Sequence, residues 1–268
     1  MDAQWYGPAA WEGGEVARYG PVARVAVISD VHANIPALEA VLADIAEARV
    51  DLVVSCGDLT WGAEPDRTVQ LISALGARAV CVRGNGDRAV IELASGAREP
   101  GRPREVWMLA QHSAESVEFV SRFAFSAVVE IDRLGAVRFC HGSPRSDTEL
   151  VTPQTSVERF GELMAGVEEK MLVTGHTHVQ FARHVAGRRS VNPGSVGLPF
   201  SGGTTGTAFW ALLGPDVSLR QTPYDVSGAL EAGPRLGDPA AETIAMLLTS
   251  PPDPQEMTED AERLVFSD

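Results

Sequence analysis

This 268-residue chain predicts an α/β fold, a layered sandwich in which a mixed second sheet packs on a first. Two features point to it. Between Val25 and Val82 three apolar strand patterns alternate with helical ones, and each ends in polar residues, at the edge where open α/β sheets bind ligands. Later strand patterns follow one another without helices between them, which calls for a second, mixed sheet. With 44% hydrophobic residues, the chain can bury a full core in one large domain.

The elements follow in order. Val25-Ala26-Val27-Ile28 is a short apolar run, read as a buried strand, and it ends at Ser29-Asp30. Asn34 is placed to cap the next helix, whose Leu38, Val41, Leu42 and Ile45 share one face. Leu52-Val53-Val54 is a second strand leading to Gly57-Asp58. A helix from about Pro65, with Val69, Ile72 and Leu75 inward, leads to a third strand at 79–82 and on to Gly84-Asn85. Residues 95–104, with two Gly and two Pro, read as a loop, and 105–123 as one helical stretch. Strands at 128–131 and 137–140 open the second sheet, the latter delivering His141. Thr155 followed by Glu158 is a capping-box pattern ahead of Phe160, Leu163, Met164 and Val167. A strand at 171–174 delivers His176 and His178, a hairpin turns at Ala186-Gly187, and strands at 208–213 and 217–221 complete the second sheet. Beyond Asp225, Pro and Gly breaks surround one helix at 239–248, whose Ile244, Leu247 and Leu248 dock on the body. The expected division is a poorly ordered N-terminal extension, 1–22, a body carrying the site, 23–225, and an acidic appendage with one docking helix, 226–268.

The formal net charge is −14, of which 226–268 supplies −7 through nine Asp/Glu against Arg235 and Arg263. Half the excess therefore sits on the appendage. The rest has no basic run that would neutralise several phosphates at once, which argues against a long nucleic acid and favours small anions. Cys56, Cys81 and Cys140 each lie in an apolar run just before a motif and read as buried strand residues, a sparse set that points to a reducing compartment. Residues 1–20 lack a positive n-region, and no window reaches the roughly 18 apolar residues of a membrane span, so a cytoplasmic protein is expected, without membrane contact. A single lysine, Lys170, against 21 arginines suggests a GC-rich bacterial genome.

Five short segments carry the chemistry: Asp30-Val31-His32, Gly57-Asp58, Gly84-Asn85-Gly86-Asp87, His141-Gly142 and Gly175-His176-Thr177-His178. Each follows a strand pattern. Asp-x-His alone occurs by chance, and a lone strand-end His is usually structural; five segments in this order are another matter. A mixed Asp, His and Asn set suits Mn, Fe, Zn or Ni better than Ca or Mg.

With His141-Gly142-Ser143-Pro144 and Asn192-Pro193-Gly194-Ser195-Val196-Gly197 added, the chain from about Val22 to Asp225 resembles the calcineurin-like metallophosphoesterase superfamily, in its compact bacterial branch. The resemblance implies a four-layer α/β/β/α sandwich of two mixed sheets with a dinuclear metal site at the sheet edges. It implies that Asp30, His32, Asp58 and His178 hold one divalent transition-metal ion, and that Asp58, Asn85, His141 and His176 hold the other, with Asp58 as the bridge. Manganese is the expected metal, with Fe, Zn or Ni as alternatives. Asp58, Asn85 and His141 are thereby the expected catalytic set, with Asp87 as an orienter beside them or a turn cap.

Many members of that family read Gly-Asn-His-Asp, where the His protonates the leaving group or holds the phosphate; here the position is Gly86. Losing general-acid help forfeits about 10² to 10⁴ in rate, least for leaving groups already stable as anions: anhydrides, aryl esters and strained cyclic phosphates. His112 is a candidate replacement acid, against the plainer reading of a helix-surface residue. Arg145 could offer its fork to phosphate or stand as an exposed loop residue. His184 reads as a surface residue, and the Asn192 to Gly197 loop as a turn supporting the site. The expected function is a metal-dependent phosphoric ester hydrolase, a phosphodiesterase first, acting on a small phosphorylated substrate through in-line attack by a metal-bridging hydroxide. The alternatives are a phosphomonoesterase or phosphoprotein phosphatase, a dinucleoside polyphosphate hydrolase and, from another class, a binding scaffold that has lost turnover. The complete ligand set opposes the last.

Overall fold

The computed structural model describes residues 4–6 and 16–266. The poor order expected of the N-terminus therefore concerns, at 1–3 and 7–15, positions outside the described residues. The chain runs β1 (Gln4–Tyr6), β2 (Ala17–Val22), β3 (Val25–Ile28), α1 (Ile35–Ala48), β4 (Leu52–Ser55), α2 (Pro65–Ser73) and β5 (Ala79–Cys81). Three helices follow, α3 (Asn85–Ser95), α4 (Pro103–Gln111) and α5 (Ala114–Ser121), then β6 (Ser126–Ile131), β7 (Gly135–Cys140), α6 (Val157–Leu163) and β8 (Met171–Val173). The last part comprises β9 (Phe181–Val185), β10 (Arg188–Asn192), β11 (Thr207–Leu213), β12 (Val217–Pro223), α7 (Ser227–Leu236), α8 (Ala241–Thr249), α9 (Pro254–Glu262) and β13 (Leu264–Phe266).

Two mixed sheets form the centre: one of five strands, β12-β11-β3-β4-β5, and one of six, β2-β6-β7-β8-β10-β9. Strand periodicity explains the stacking. In β3 and β4, Val25, Val27, Leu52 and Val54 face Val129, Val137, Phe139 and Val173 of the other sheet, while Ala26, Ile28 and Val53 face Leu38, Val41 and Ile45 of α1. On the far side, Leu172 and Cys140 pack with Phe160 and Leu163 of α6. The result is four layers, α/β/β/α. Asn34 caps α1 by accepting from the Ala37 N–H at 3.2 Å. The three cysteines are free, and burial pushes the Cys81 and Cys140 thiols up to about 12.

Several local expectations change. The stretch 105–123 is two helices, because Ser113 caps α5 by accepting from the Ser116 N–H at 3.2 Å. Residue 84 starts a helix, α3, directly on the Gly84-Asn85 motif. The cap of α6 is Ser156, accepting from the Arg159 N–H at 3.1 Å, whereas Thr155 faces Glu262. Strands β11 and β12 do not extend the second sheet; β11 pairs antiparallel with β3 and makes the first sheet mixed. Ala17–Val22, placed by the sequence in the N-terminal extension, pairs with β6 at the sheet edge, where Pro21 needs no ladder partner and the register slips.

The C-terminal segment holds three helices where one was expected. The Trp107 Nε1–H donates to Leu236 O at 2.8 Å, Thr152 Oγ1 donates to Glu262 Oε1 at 2.6 Å, and Leu248 is buried. Deleting 226–268 should lower stability by at least about 2 kcal/mol, the worth of burying one leucine such as Leu248. Metal binding should persist, since every proposed ligand precedes residue 179. Melting temperature and metal content of the truncated protein check this; a folded, metal-free product would contradict it. No helix among the described residues is long and apolar enough to cross a membrane.

Candidate metal centre

All five motif segments lie at the C-terminal ends of strands: β3, β4 and β5 of one sheet and β7 and β8 of the other. Backbone hydrogen bonds lock their loops together. Asp30 N–H donates to Gly57 O at 3.0 Å, His32 N–H to Asp58 O at 3.0 Å, and Gly175 N–H to His141 O at 2.8 Å. The Asn192 to Gly197 turn braces them from behind: Ser195 Oγ donates to Asp30 O at 2.7 Å, and Asn192 Nδ2 to Gly175 O at 2.7 Å. Gly57 has φ +95°, and a Cβ there would meet the His141 Nδ1 at 2.6 Å, so only glycine lets that ring in.

Among the described residues nine non-glycine positions have positive φ, and five of them are Asp30, His32, Asp58, His176 and His178. A left-handed conformer costs roughly 1–2 kcal/mol for an ordinary residue and is cheapest for Asp, Asn and His. Such strain gathers where the fold must aim side chains.

The side chains converge in two groups. Ligand atoms of Asp30, His32 and His178 lie within 4.8 Å of one another, as do those of Asp30, Asp58 and His141. Asn85 Oδ1 is 2.9 Å from His141 Nε2, and the His141 and His176 rings are 4.8 Å apart. Asp30 belongs to both groups, and Asp58 reaches from the second toward the first, with Oδ2 4.0 Å from His32 Nε2 and Oδ1 3.6 Å from His141 Nε2.

Backbone carbonyls fix the tautomers. Because a carbonyl only accepts, His32 Nδ1 must donate to Trp61 O at 3.1 Å, His141 Nδ1 to Cys56 O at 2.7 Å, and His178 Nδ1 to Leu198 O at 2.6 Å. Each neutral ring then turns a lone pair at Nε2 inward. His176 is reversed: its Nε2–H donates to Thr148 O at 3.2 Å, leaving Nδ1 as the donor atom. Two lone pairs face each other at 3.1 Å between His32 and His178, and Asp30 Oδ1 is buried without a hydrogen-bond partner. Facing acceptors need a cation or a proton between them, so these residues fit divalent ions well.

Electrostatics follow burial and pairing. Burial, with His178 beside it, lowers His32; burial, with His141 beside it, lowers His176 to about 4. Burial also opposes charge on His141 and His178, but the carboxylates of Asp58 and Asp30 outweigh it and hold both rings above the ordinary imidazole value. Burial likewise opposes the Asp30 carboxylate, yet His178 keeps it well below the usual range. A metal ligand must be neutral imidazole, so His141 and His178 must shed protons on loading. Affinity should therefore weaken as the pH falls through the raised values of these two rings, with protons released on binding. Calorimetric Mn titrations in buffers of different ionisation heat check this; a pH-independent affinity without proton release would contradict it.

The other sequence candidates sit outside the two groups. Asp87 is fully buried and spends its carboxylate on backbone: Oδ1 accepts from Leu59 N–H at 3.1 Å and Oδ2 from Gly84 N–H at 2.9 Å, tying together the loops of Asp58 and Asn85. Burial and the nearby Asp58 carboxylate push it up to about 7. His112 donates from Nδ1 to Met108 O at 2.8 Å, and its Nε2 lies 3.0 Å from Thr60 Oγ1, so both nitrogens are engaged. Arg145 forks onto Glu149 at 2.8 and 2.6 Å. His184 is exposed on β9. Trp61, whose carbonyl orients His32 and whose Cβ lies against Gly86, is missed by sequence reasoning; its only signal is a large aromatic three residues after Asp58.

Comparisons with known proteins agree with this picture. A family model for the calcineurin-like phosphoesterase superfamily domain matches residues 24–212. An uncharacterized protein of Methanocaldococcus jannaschii is 28% identical over 201 residues, 66% of this chain and 78% of that protein. The crystal structure of a metallophosphoesterase from Sphaerobacter thermophilus is 27% identical and covers 85% of this chain and 99% of its own, with a TM-score of 0.67. A hypothetical protein of Pyrococcus horikoshii shares the fold, with a TM-score of 0.70 at 20% identity, over 86% of this chain and 99% of its own.

Proposed function

The chain belongs to the calcineurin-like phosphoesterase superfamily, a family of metal-dependent phosphoric ester hydrolases, and from that premise we propose a dinuclear phosphodiesterase acting on a small phosphorylated substrate. The observation that carries this reading is Asp58, whose Oδ2 lies 4.0 Å from His32 Nε2 and whose Oδ1 lies 3.6 Å from His141 Nε2, so that one carboxylate reaches toward both ends of the cluster. Asp30, His32, Asp58 and His178 would hold one ion, and Asp58, Asn85, His141 and His176 the other. Bound there, two divalent ions would polarise a phosphoryl oxygen and make water nucleophilic at neutral pH.

The chain's own residues set what that chemistry can use. The donor set holds two carboxylates, Asp30 and Asp58, with neutral imidazoles and the Asn85 amide, so two divalent charges are only half offset and a phosphate anion is attracted. The Gly86 N–H is taken by Asp58 Oδ1 at 2.7 Å, and Gly86 brings no side-chain acid. A leaving group must then depart largely unprotonated, which favours aryl and cyclic diesters over simple alkyl monoesters. A mixed nitrogen and oxygen set of this kind accepts Mn, Fe, Zn or Ni, and manganese is the metal proposed first.

Metal analysis under excess Mn should saturate at two ions per chain, and a panel of diester, monoester and anhydride substrates should show the diesters, aryl and cyclic ones first. Saturation at one ion sinks the dinuclear centre. Two ions without hydrolysis of any substrate would instead mark a scaffold.

A further inference from the structure

A groove opens beside the candidate centre, enclosed by three stretches distant in sequence. His32 and Pro36 line one side, Trp61 another, and Ala232 of α7 with Ile244 and Leu248 of α8 close it from the C-terminal segment. It is narrow, about 40 Å³ in volume, and open to solvent.

The chemistry of its walls restricts what fits. The charged groups at its rim are already paired, Arg104 donating to both Asp238 oxygens at 3.1 and 3.0 Å and Arg235 reaching Glu64 at 3.0 Å. Nothing there offers a free charge to a ligand, so an anionic group belongs at the His32 end and the rest of the occupant is uncharged. A narrow slit lined by Trp61 and aliphatic residues suits a flat ring. Trp61 is held for this from two sides. Its carbonyl accepts from His32 Nδ1 at 3.1 Å, and its Cβ lies where only glycine at 86 leaves room, 2.9 Å from the position a Cβ there would take.

We propose that this groove receives the leaving group of the substrate and that the leaving group carries a planar, uncharged aromatic ring. The inference rests on the phosphoesterase centre proposed above and deepens it to a substrate class. It also accounts for Gly86: the space beside Asp58 is given to the Trp61 Cβ instead of an acid. An aryl ester and a nucleoside phosphate share the required ring.

The test uses the full-length Mn-loaded protein and the variants Trp61→Ala and Ile244→Trp, the first removing the wall and the second filling the slit. Binding of phenyl phosphate, methyl phosphate and uridine 3′-phosphate is measured by calorimetry, alongside kcat and KM for bis(4-nitrophenyl) phosphate. Phenyl phosphate should bind the wild type about 10-fold to 100-fold more tightly than methyl phosphate, the usual worth of stacking one ring. Both variants should erase that preference and raise KM by a similar factor, with metal content retained. Uridine phosphate binding as tightly as phenyl phosphate would identify the ring as a nucleobase, and weaker binding would identify an aryl ester. Equal binding of phenyl and methyl phosphate by the wild type, or a preference that survives in both variants, overturns the assignment. Hydrolysis without ring preference would remove the groove proposal alone. Ring preference without any hydrolysis would remove the phosphoesterase reading and leave the ring site standing.

Discussion

Asp58→Asn is expected to lower metal affinity and turnover together, by at least about 100-fold, since even groups one bond removed from a metal cost 10-fold to 100-fold when lost. The substitution takes away a negative charge placed between two cation sites and puts an NH2 where one donor oxygen should be. Asp87→Asn should behave differently. Its carboxylate faces backbone N–H groups of Leu59 and Gly84, so an amide sets one N–H against another in a site with no access to water. That costs about 1–3 kcal/mol of stability, read as a lower melting temperature, while metal stays bound. Equal losses of activity in both variants with metal retained would show that Asp58 is not the bridge.

The second large effect concerns position 86. The wild type should show a steep dependence of rate on leaving-group pKa, because no acid at that position helps a poor leaving group, and one general acid is worth about 10² to 10⁴. Restoring an imidazole by Gly86→His looks like the obvious rescue, but the neighbours forbid it. A Cβ there would lie 2.9 Å from Trp61 Cβ and 3.0 Å from Asp58 Oδ1. The single variant should therefore cost about 1–3 kcal/mol through overpacking and lose metal as Asp58 is displaced. Rescue of alkyl esters should appear only with Trp61→Gly added, which removes the Cβ that alanine would keep. A leaving-group series in the three proteins decides it. A flat wild-type series would mean that a proton arrives from another group, and His112 would be the first to mutate.

The site was legible in the sequence where chemistry is written in short runs. The motifs carrying Asp30, His32, Asp58, Asn85, His141, His176 and His178 were readable because each sits at a strand end, and the strands were visible from apolar periodicity; the structure brings Asp30, His32, Asp58, His141 and His178 into overlapping groups. Asp87 was left between two roles, since spacing cannot say whether a carboxylate faces ions or backbone. The sheet that β11 and β12 join was misread because pairing partners are not encoded locally: β11 lies almost 180 residues from β3 in sequence, yet it forms that strand's second ladder. Helix α7 was hidden by Gly228, Gly233 and Pro234 inside it, and β2 by Gly20-Pro21, residues that usually break such elements. The groove was invisible for the same reason as the pairing, its walls being assembled from residues near 32, 61 and 244.

The left-handed backbone at 30, 32, 58, 176 and 178 also constrains how this sequence can diverge. A descendant that abandons its ions must still fill five positions where Val, Ile or Thr would break the loops outright, while Asn or Gly would slip in at little cost. Decay of the centre should therefore leave a trace of Asn and Gly at those positions in an otherwise unchanged framework. Lineages that have traded turnover for a binding role would then be recognisable by which replacements they carry, and shape would outlast chemistry.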